Sequence, residues 1–264
     1  MKIGFIGLGN MANAMIAGML KQNLVKPEEI YGASKTKATA EKMQQRYGIC
    51  AGTDNRIVAM EADYLFLAVK PIYFPEVITE IQDAVDANTV VISIAAGKTI
   101  AYIEELFGRS IKLLRCMPNT PALVGEGCTA YTRGLQVTDA EAEQVEKLLK
   151  SFGTVSLVPE TLMDAVVGVS GSSPAYVFLF IEAMADAAVL AGMPRKQAYE
   201  MAAQSVLGSA KMVLETGQHP GVLKDMVCSP GGTTIEAVRV LEERGMRAAV
   251  MDAMEACIKK SENM

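Results

Sequence analysis

The chain has 264 residues, half of them apolar, enough for one large domain or two modest ones with a sizeable core. Thirty acidic against 25 basic residues give a formal net charge of −5, and no basic stripe marks a nucleic-acid partner. Five scattered cysteines without a C-x-x-C pair fit free thiols in a reducing compartment, and a single histidine, His219, leaves no His-rich metal site, so no metal is expected.

Met1-Lys2 leads straight into a strand-like run, 2–6, with no cleavable apolar leader, and the expected compartment is the cytoplasm. The run enters Gly7-Leu8-Gly9-Asn10-Met11-Ala12, which fits G-x-G-x-x-G/A, and a helical stretch over 11–22 follows at once. Each small residue has a job. Gly7 permits the tight turn, Gly9 lets backbone approach a pyrophosphate, and Ala12 lets the helix pack on the strand. The helix N-terminus adds free N–H groups and a positive dipole end. The pattern alone is weak, but here strand, turn and helix flank it correctly.

Further β-type runs lie at 29–33, 64–68, 90–94, 112–116, 128–132 and 155–157, with helical stretches such as Lys37–Tyr47 and 74–85 between the early ones. Alternation of this kind predicts a parallel sheet with helices on both faces. The second run ends in Ala33-Ser34-Lys35-Thr36. An acid there would bind the 2′-hydroxyl of NAD, whereas two hydroxyls and an ammonium suit a 2′-phosphate, which favours NADP. Ala68-Val69-Lys70-Pro71 and Ala95-Ala96-Gly97 end later strands at the same ligand-facing rim. Residues 115–121 form a rigid turn with two prolines, in which Asn119 either orients a ligand or ties down its own turn.

After Pro159 the texture turns to Ala, Met and Leu at helical periodicity, predicting helices over 162–191, Arg195–Thr216, 221–227, 233–244 and 246–260. The expected division is therefore 1–158 and 159–264. The most apolar stretch, 165–192, carries Glu182 and Asp186 at helical spacing, which favours a buried amphipathic helix over a membrane span. Small residues across 168–176 imply close approach to a neighbour. Ser229-Pro230-Gly231-Gly232-Thr233-Thr234 leads into a helix and reads as a second anion site, suited to a substrate carboxylate, or as an ordinary capped loop.

Together these motifs resemble the pyrroline-5-carboxylate reductase family over the whole chain, with the 229–234 block, preceded by His219-Pro220-Gly221, the most specific. The resemblance implies an α/β fold: an N-terminal Rossmann dinucleotide-binding domain followed by an all-α C-terminal dimerisation and substrate domain. It implies reduction of 1-pyrroline-5-carboxylate to L-proline by NADPH, the last step of proline biosynthesis, with NADH as a possible alternative. It also implies a homodimer at least, with rings of dimers in some members, and neither a nucleic-acid nor a membrane partner. Carried over by motif, Ile6, Gly7, Leu8, Gly9, Asn10, Met11 and Ala12 line the cofactor, with Ser34, Lys35, Asn55, Ala68, Val69, Lys70, Pro71, Ala95, Ala96 and Gly97. Ser229, Gly232, Thr233 and Thr234 hold the substrate carboxylate, Glu160 approaches the substrate in the dimer, and Thr234 is the candidate catalytic residue, near the ring nitrogen.

Two positions depart from the family pattern. Ser173 stands where glycine is usual, and fits only with negative φ. Met226 stands where some relatives carry a cofactor-touching amide, and that contact is not carried over. Two rival readings fit the residues less well. A β-hydroxyacid dehydrogenase would need a catalytic lysine near Pro174-Ala175-Tyr176-Val177-Phe178-Leu179, where there is none. A non-catalytic NADP sensor has no use for the carboxylate site.

Overall fold

A computed structural model describes residues 1–263. They form two units: Met1–Ser172 with the tail from Cys257 onward, and Ser173–Ala256.

The first unit is built on an eight-stranded sheet of order β3-β2-β1-β4-β5-β6-β7-β8. The strands are β1 (Ile3–Ile6), β2 (Ile30–Ala33), β3 (Cys50–Gly52), β4 (Tyr64–Leu67), β5 (Val90–Ser93), β6 (Lys112–Met117), β7 (Gly127–Arg133) and β8 (Gly153–Leu157). Six helices of this unit follow the strands: α1 (Asn10–Lys21), α2 (Lys37–Tyr47), α3 (Asn55–Glu61), α4 (Phe74–Ile81), α5 (Ile100–Phe107) and α6 (Asp139–Lys150). The reversal between β2-β1 and β4 is a switch point, where strand order leaves a crevice at the carboxyl ends.

The sheet is mixed, not wholly parallel as expected. β7 runs antiparallel to β6, and β8 parallel to β7. The reason is the connection: 118–126 holds only a short 3₁₀ turn, Thr120–Val124, too little chain for a parallel crossover. Strand-type runs carry no sign of direction; the short gap between the runs at 112–116 and 128–132 is the trace of it in the sequence. β3, three largely exposed residues at the sheet edge, escaped the reading as well.

Alternation along the strands fills two cores. Ile3 and Phe5 of β1 and Phe66 of β4 face Met15, Ile16 and Met19 of α1 and Val145, Leu148 and Leu149 of α6, with Phe5 and Phe66 stacked at 4.8 Å between ring centroids. On the other face Ile6, Leu65 and Leu67 meet Val58, Phe74, Ile78, Ile103 and Phe107. Each buried aliphatic or aromatic side chain contributes about 1.5–3 kcal/mol, which makes the sheet a firm platform for its rim.

The expected helix over 162–191 is broken. It comprises a 3₁₀ turn Glu160–Leu162, α7 (Met163–Val166), a π-helical turn Val167–Gly171, and α8 (Ser173–Leu190). Met163 and Val166 pack with Ala130 of β7, so this segment lies in the compact unit of the sheet, which runs to Ser172. The chain end returns to the same segment: Ser261 donates its hydroxyl to Asp164 at 2.6 Å.

The second unit continues with α9 (Arg195–Thr216), α10 (Pro220–Val227) and α11 (Thr233–Glu243); α12 (Met246–Glu262) runs from it into the tail. α8 packs on α9. Only Ala185, Ala198 and Ala202 are buried among this unit's residues. The expectation that α8 is buried is thus not met within one chain. Val177, Phe178, Leu179, Phe180 and Leu190 all stand exposed, and the run Glu160–Leu190 is apolar and long enough to cross a membrane.

Candidate functional site

The cofactor residues named from the sequence gather at the carboxyl rim of the parallel strands. Gly7 N–H donates to Ala33 O at 2.9 Å, Ala68 N–H to Ile6 O at 2.8 Å, and Ser34 N–H to Gly52 O at 3.0 Å. These bonds stitch the ends of β1, β2, β3 and β4 into one edge. Gly7 has φ +96°, and a Cβ there would lie 2.7 Å from the Ala68 carbonyl, so only glycine fits the turn.

Gly9 is the N-cap of α1, has no heavy atom within 4 Å of where a Cβ would stand, and receives no side-chain cap. No acid occupies the first turn. The first intrahelical bond runs from Asn13 N–H to Gly9 O, so the amides of Asn10, Met11 and Ala12 precede the ladder. Open space, unspent N–H groups and a dipole end without a nearby carboxylate suit a dinucleotide's phosphates. Ile6, Leu8 and Ala12 are buried and support the turn from behind.

Beside the turn lies a cleft of about 440 Å³ lined by Gly7, Ser34, Lys35, Asn55, Val69 and Lys70 from the predicted set. The sequence reading missed Thr53, Tyr73, Glu76 and Glu80, which line it too. Tyr73, Glu76, Val77 and Glu80 share a face at spacing i, i+3, i+4, i+7, a signal readable in sequence only once the helix is known to border the rim. The Lys35 ammonium sits 5.6 Å from the centre of the Tyr73 ring, a cation–π contact that keeps it at the cleft. Asn55, first residue of α3, donates its side-chain N–H to Glu80 Oε2 at 2.7 Å. Pro71 opens a 3₁₀ turn just beyond Lys70, and Ala95, Ala96 and Gly97 follow β5.

Asn119 ties structure together. Its Nδ2 donates to Ser170 O at 3.0 Å and its Oδ1 accepts from Cys128 N–H at 2.8 Å, pinning the π-helical turn to the β6–β7 connection. The close approach expected over 168–176 is visible here, since a Cβ on Gly171 would meet Met117 Cε at 2.7 Å. Ser173 lies outside the positive-φ set and opens α8, so its side chain is accommodated. Glu160 Oε1 accepts from Ile100 N–H at 2.8 Å and from buried Arg115 Nη1 at 3.1 Å; Oε2 makes no hydrogen bond among the described residues.

The second unit holds the 229–234 turn that the sequence offers as an anion site. Gly232 N–H donates to Ser229 O at 3.0 Å, with Pro230 and Gly231 (φ +67°) between them, the pattern of a type II turn. Gly232 is the N-cap of α11 with no side-chain cap, so the alternative of a loop capped by Thr233 or Thr234 does not hold. Thr233 and half-buried Thr234 occupy the first two helical positions, and neither hydroxyl is hydrogen-bonded among the described residues. Two hydroxyls and the unspent amides of a helix start can jointly hold a carboxylate.

Comparison with known proteins agrees with both halves. Residues 2–97 match the coenzyme F420-dependent NADP oxidoreductase family, and residues 160–264 match the pyrroline-5-carboxylate reductase dimerisation family. A pyrroline-5-carboxylate reductase of Escherichia coli (strain K12) is 52% identical over 263 residues, covering 100% of this chain and 98% of the relative. The structure of a Coxiella burnetii pyrroline-5-carboxylate reductase superposes with TM-score 0.92 at 34% identity, covering 99% of this chain and 97% of that one. A Plasmodium falciparum pyrroline carboxylate reductase solved with NADP bound gives TM-score 0.89 at 34% identity, with the same coverage. The two family matches and full-length identity of this order lead to one conclusion: the chain belongs to the pyrroline-5-carboxylate reductase family.

Proposed function

We propose that the chain reduces the cyclic imine 1-pyrroline-5-carboxylate to L-proline with NADPH, binding the dinucleotide at the Gly7–Gly9 turn and the substrate carboxylate at Ser229–Thr234. The observation that carries this reading is the pairing of two uncapped helix starts on one chain: α1 with no acid in its first turn, and α11 with free threonine hydroxyls. NADPH, when bound, supplies the hydride.

The chain's own task is placement. On the turn that Ser229 and Gly232 close, with the Gly232 N–H donated to Ser229 O, the unspent amides of Thr233 and Thr234 and the Thr233 hydroxyl hold the carboxylate. In the substrate the carboxylate carbon and the ring nitrogen share one carbon neighbour, so fixing one fixes the other. The Thr234 hydroxyl then meets the ring nitrogen. Protonated there, the C=N bond accepts hydride at carbon, and the former iminium nitrogen keeps its proton as the product amine. Such a substrate needs orientation more than a strong acid, which suits a site without an acid–base dyad. The Oε2 of Glu160, without a hydrogen bond among the described residues, supports a role near the substrate in the assembled protein.

The cofactor preference follows from Ser34 and Lys35 at a strand end that lacks an acid. The exposed apolar faces of α8 and α9 form the interface of a homodimer, a reading supported by the dimerisation-family match rather than by any lipid-specific feature. Five free cysteines fit the cytoplasm. The test is NADPH oxidation with the cyclic imine, followed by the loss of its near-ultraviolet absorbance. Turnover with the imine and none with β-hydroxy acids supports the proposal; no turnover with the imine overturns it.

A further inference from the structure

We infer that Glu80 is a specificity-determining residue for the cofactor, holding down the chain's preference for NADPH over NADH by fixing Asn55 as an acceptor and by adding negative charge to the cleft. This rests on the reading that the cleft takes the adenosine ribose of the dinucleotide.

Three observations carry it. First, the Asn55 side-chain N–H is committed to Glu80 Oε2 at 2.7 Å, and the Arg56 guanidinium donates to the Glu80 carbonyl at 2.8 Å. The start of α3 is thereby tied to the end of α4. Second, that bond spends one of the two amide hydrogens of Asn55 and fixes which way its Oδ1 points, and no group among the described residues uses that oxygen. The oxygen accepts from a ribose hydroxyl, and one N–H rather than two is left for a phosphate. Third, four formal charges line the cleft: Lys35 and Lys70 against Glu76 and Glu80. They cancel. A dianionic 2′-phosphate therefore meets no net positive potential from these side chains, although the strand end itself carries no acid.

The end of β2 carries no acid, but α4 brings carboxylates to the same place. Glu80 does there what an acid at the end of β2 does in NAD-binding sheets, through one intermediary amide.

Two exchanges separate the two roles. Glu80 is exposed, so neither disturbs the core. Glu80→Gln keeps an acceptor for Asn55 and removes the charge. Glu80→Ala removes both. Dissociation constants for NADPH and NADH are measured by isothermal titration calorimetry on the full chain, at low and high salt, so the readout is independent of turnover. In Glu80→Gln the Kd for NADPH falls about three- to tenfold at low ionic strength while that for NADH moves less than about twofold, and added salt shrinks the gain. In Glu80→Ala the Kd for NADH rises about threefold or more as Asn55 loses its fixed orientation. An unchanged NADPH-to-NADH ratio in Glu80→Gln overturns the proposal while wild-type binding leaves the cleft reading intact. A wild-type chain that binds neither dinucleotide overturns the cleft reading and the proposal with it.

Discussion

Glu160 meets the Arg115 guanidinium at 3.1 Å, and the arginine side chain is only 5% exposed. The same carboxylate oxygen takes the Ile100 amide at the start of α5. One acid therefore joins the segment after β8, the fifth helix and the core of β6. Glu160→Ala leaves a buried guanidinium without its partner. The expected loss of unfolding free energy is about 1–3 kcal/mol, the lower end reflecting the partial exposure of Glu160. Glu160→Gln, which keeps a neutral acceptor, loses less. Urea midpoints decide it, and an alanine variant as stable as the wild type contradicts the structural role.

The two glycines of the phosphate turn separate folding from binding. Gly7→Ala forces a side chain into positive φ against the Ala68 carbonyl, and costs about 2–4 kcal/mol. Gly9→Val meets open space and costs about 1 kcal/mol, mostly through a poorer N-cap. Its methyl groups stand where backbone would approach the pyrophosphate, so the Kd for NADPH rises about tenfold or more. Thermal melts and calorimetric titration of both variants check the split. Equal destabilisation by the two exchanges contradicts it.

Thr234→Ala lowers kcat/KM for the imine about tenfold or more, with the NADPH Kd changed less than about twofold, because the hydroxyl belongs to the substrate half alone. Thr233→Ala raises KM more than it lowers kcat. Steady-state kinetics alongside direct cofactor titration distinguish the two threonines. An unaltered kcat/KM removes Thr234 from the mechanism.

Burial and the Glu146 carboxylate, which accepts from the phenol at 3.1 Å, push Tyr131 up to about 12. The folded value lies above the unfolded one, near 10. The unfolded chain thus releases this proton first, and the stabilisation is complete below about pH 10 and lost as pH rises toward 12, at up to about 1.4 kcal/mol per pH unit. Tyr131→Phe lacks that component. Denaturation midpoints compared between about pH 9 and 11 show a shallower decline in the variant; parallel declines refute the assignment.

Local chemistry was legible in the sequence, and tertiary choice was not. The G-x-G-x-x-A turn, Val69 and Lys70 beyond the end of β4 and the Pro230-Gly231 turn are each specified by neighbours in the chain, and each stands where the residues indicated. The direction of β7 was hidden in its own residues because a strand's composition is the same either way round. Glu76 and Glu80 were hidden because they reach the cleft from a helix distant from the β2 end that they face, and only the sheet order brings them there. The break in 162–191 left a fainter trace, its run of small residues, which marked close approach without revealing a π-helical turn. α8 looked like a core helix because it is coloured like one; what covers it is not supplied by its own chain.

Three alanines are a slender interior for 84 residues. In the proposed homodimer a unit so built draws its cohesion from a second copy, and its persistence is then a matter of mass action. Dilution alone then weakens it, at constant temperature and pH. The apparent melting point of such a dimer has no single value: it climbs with chain concentration, and a cell sets it by how much of the protein it makes.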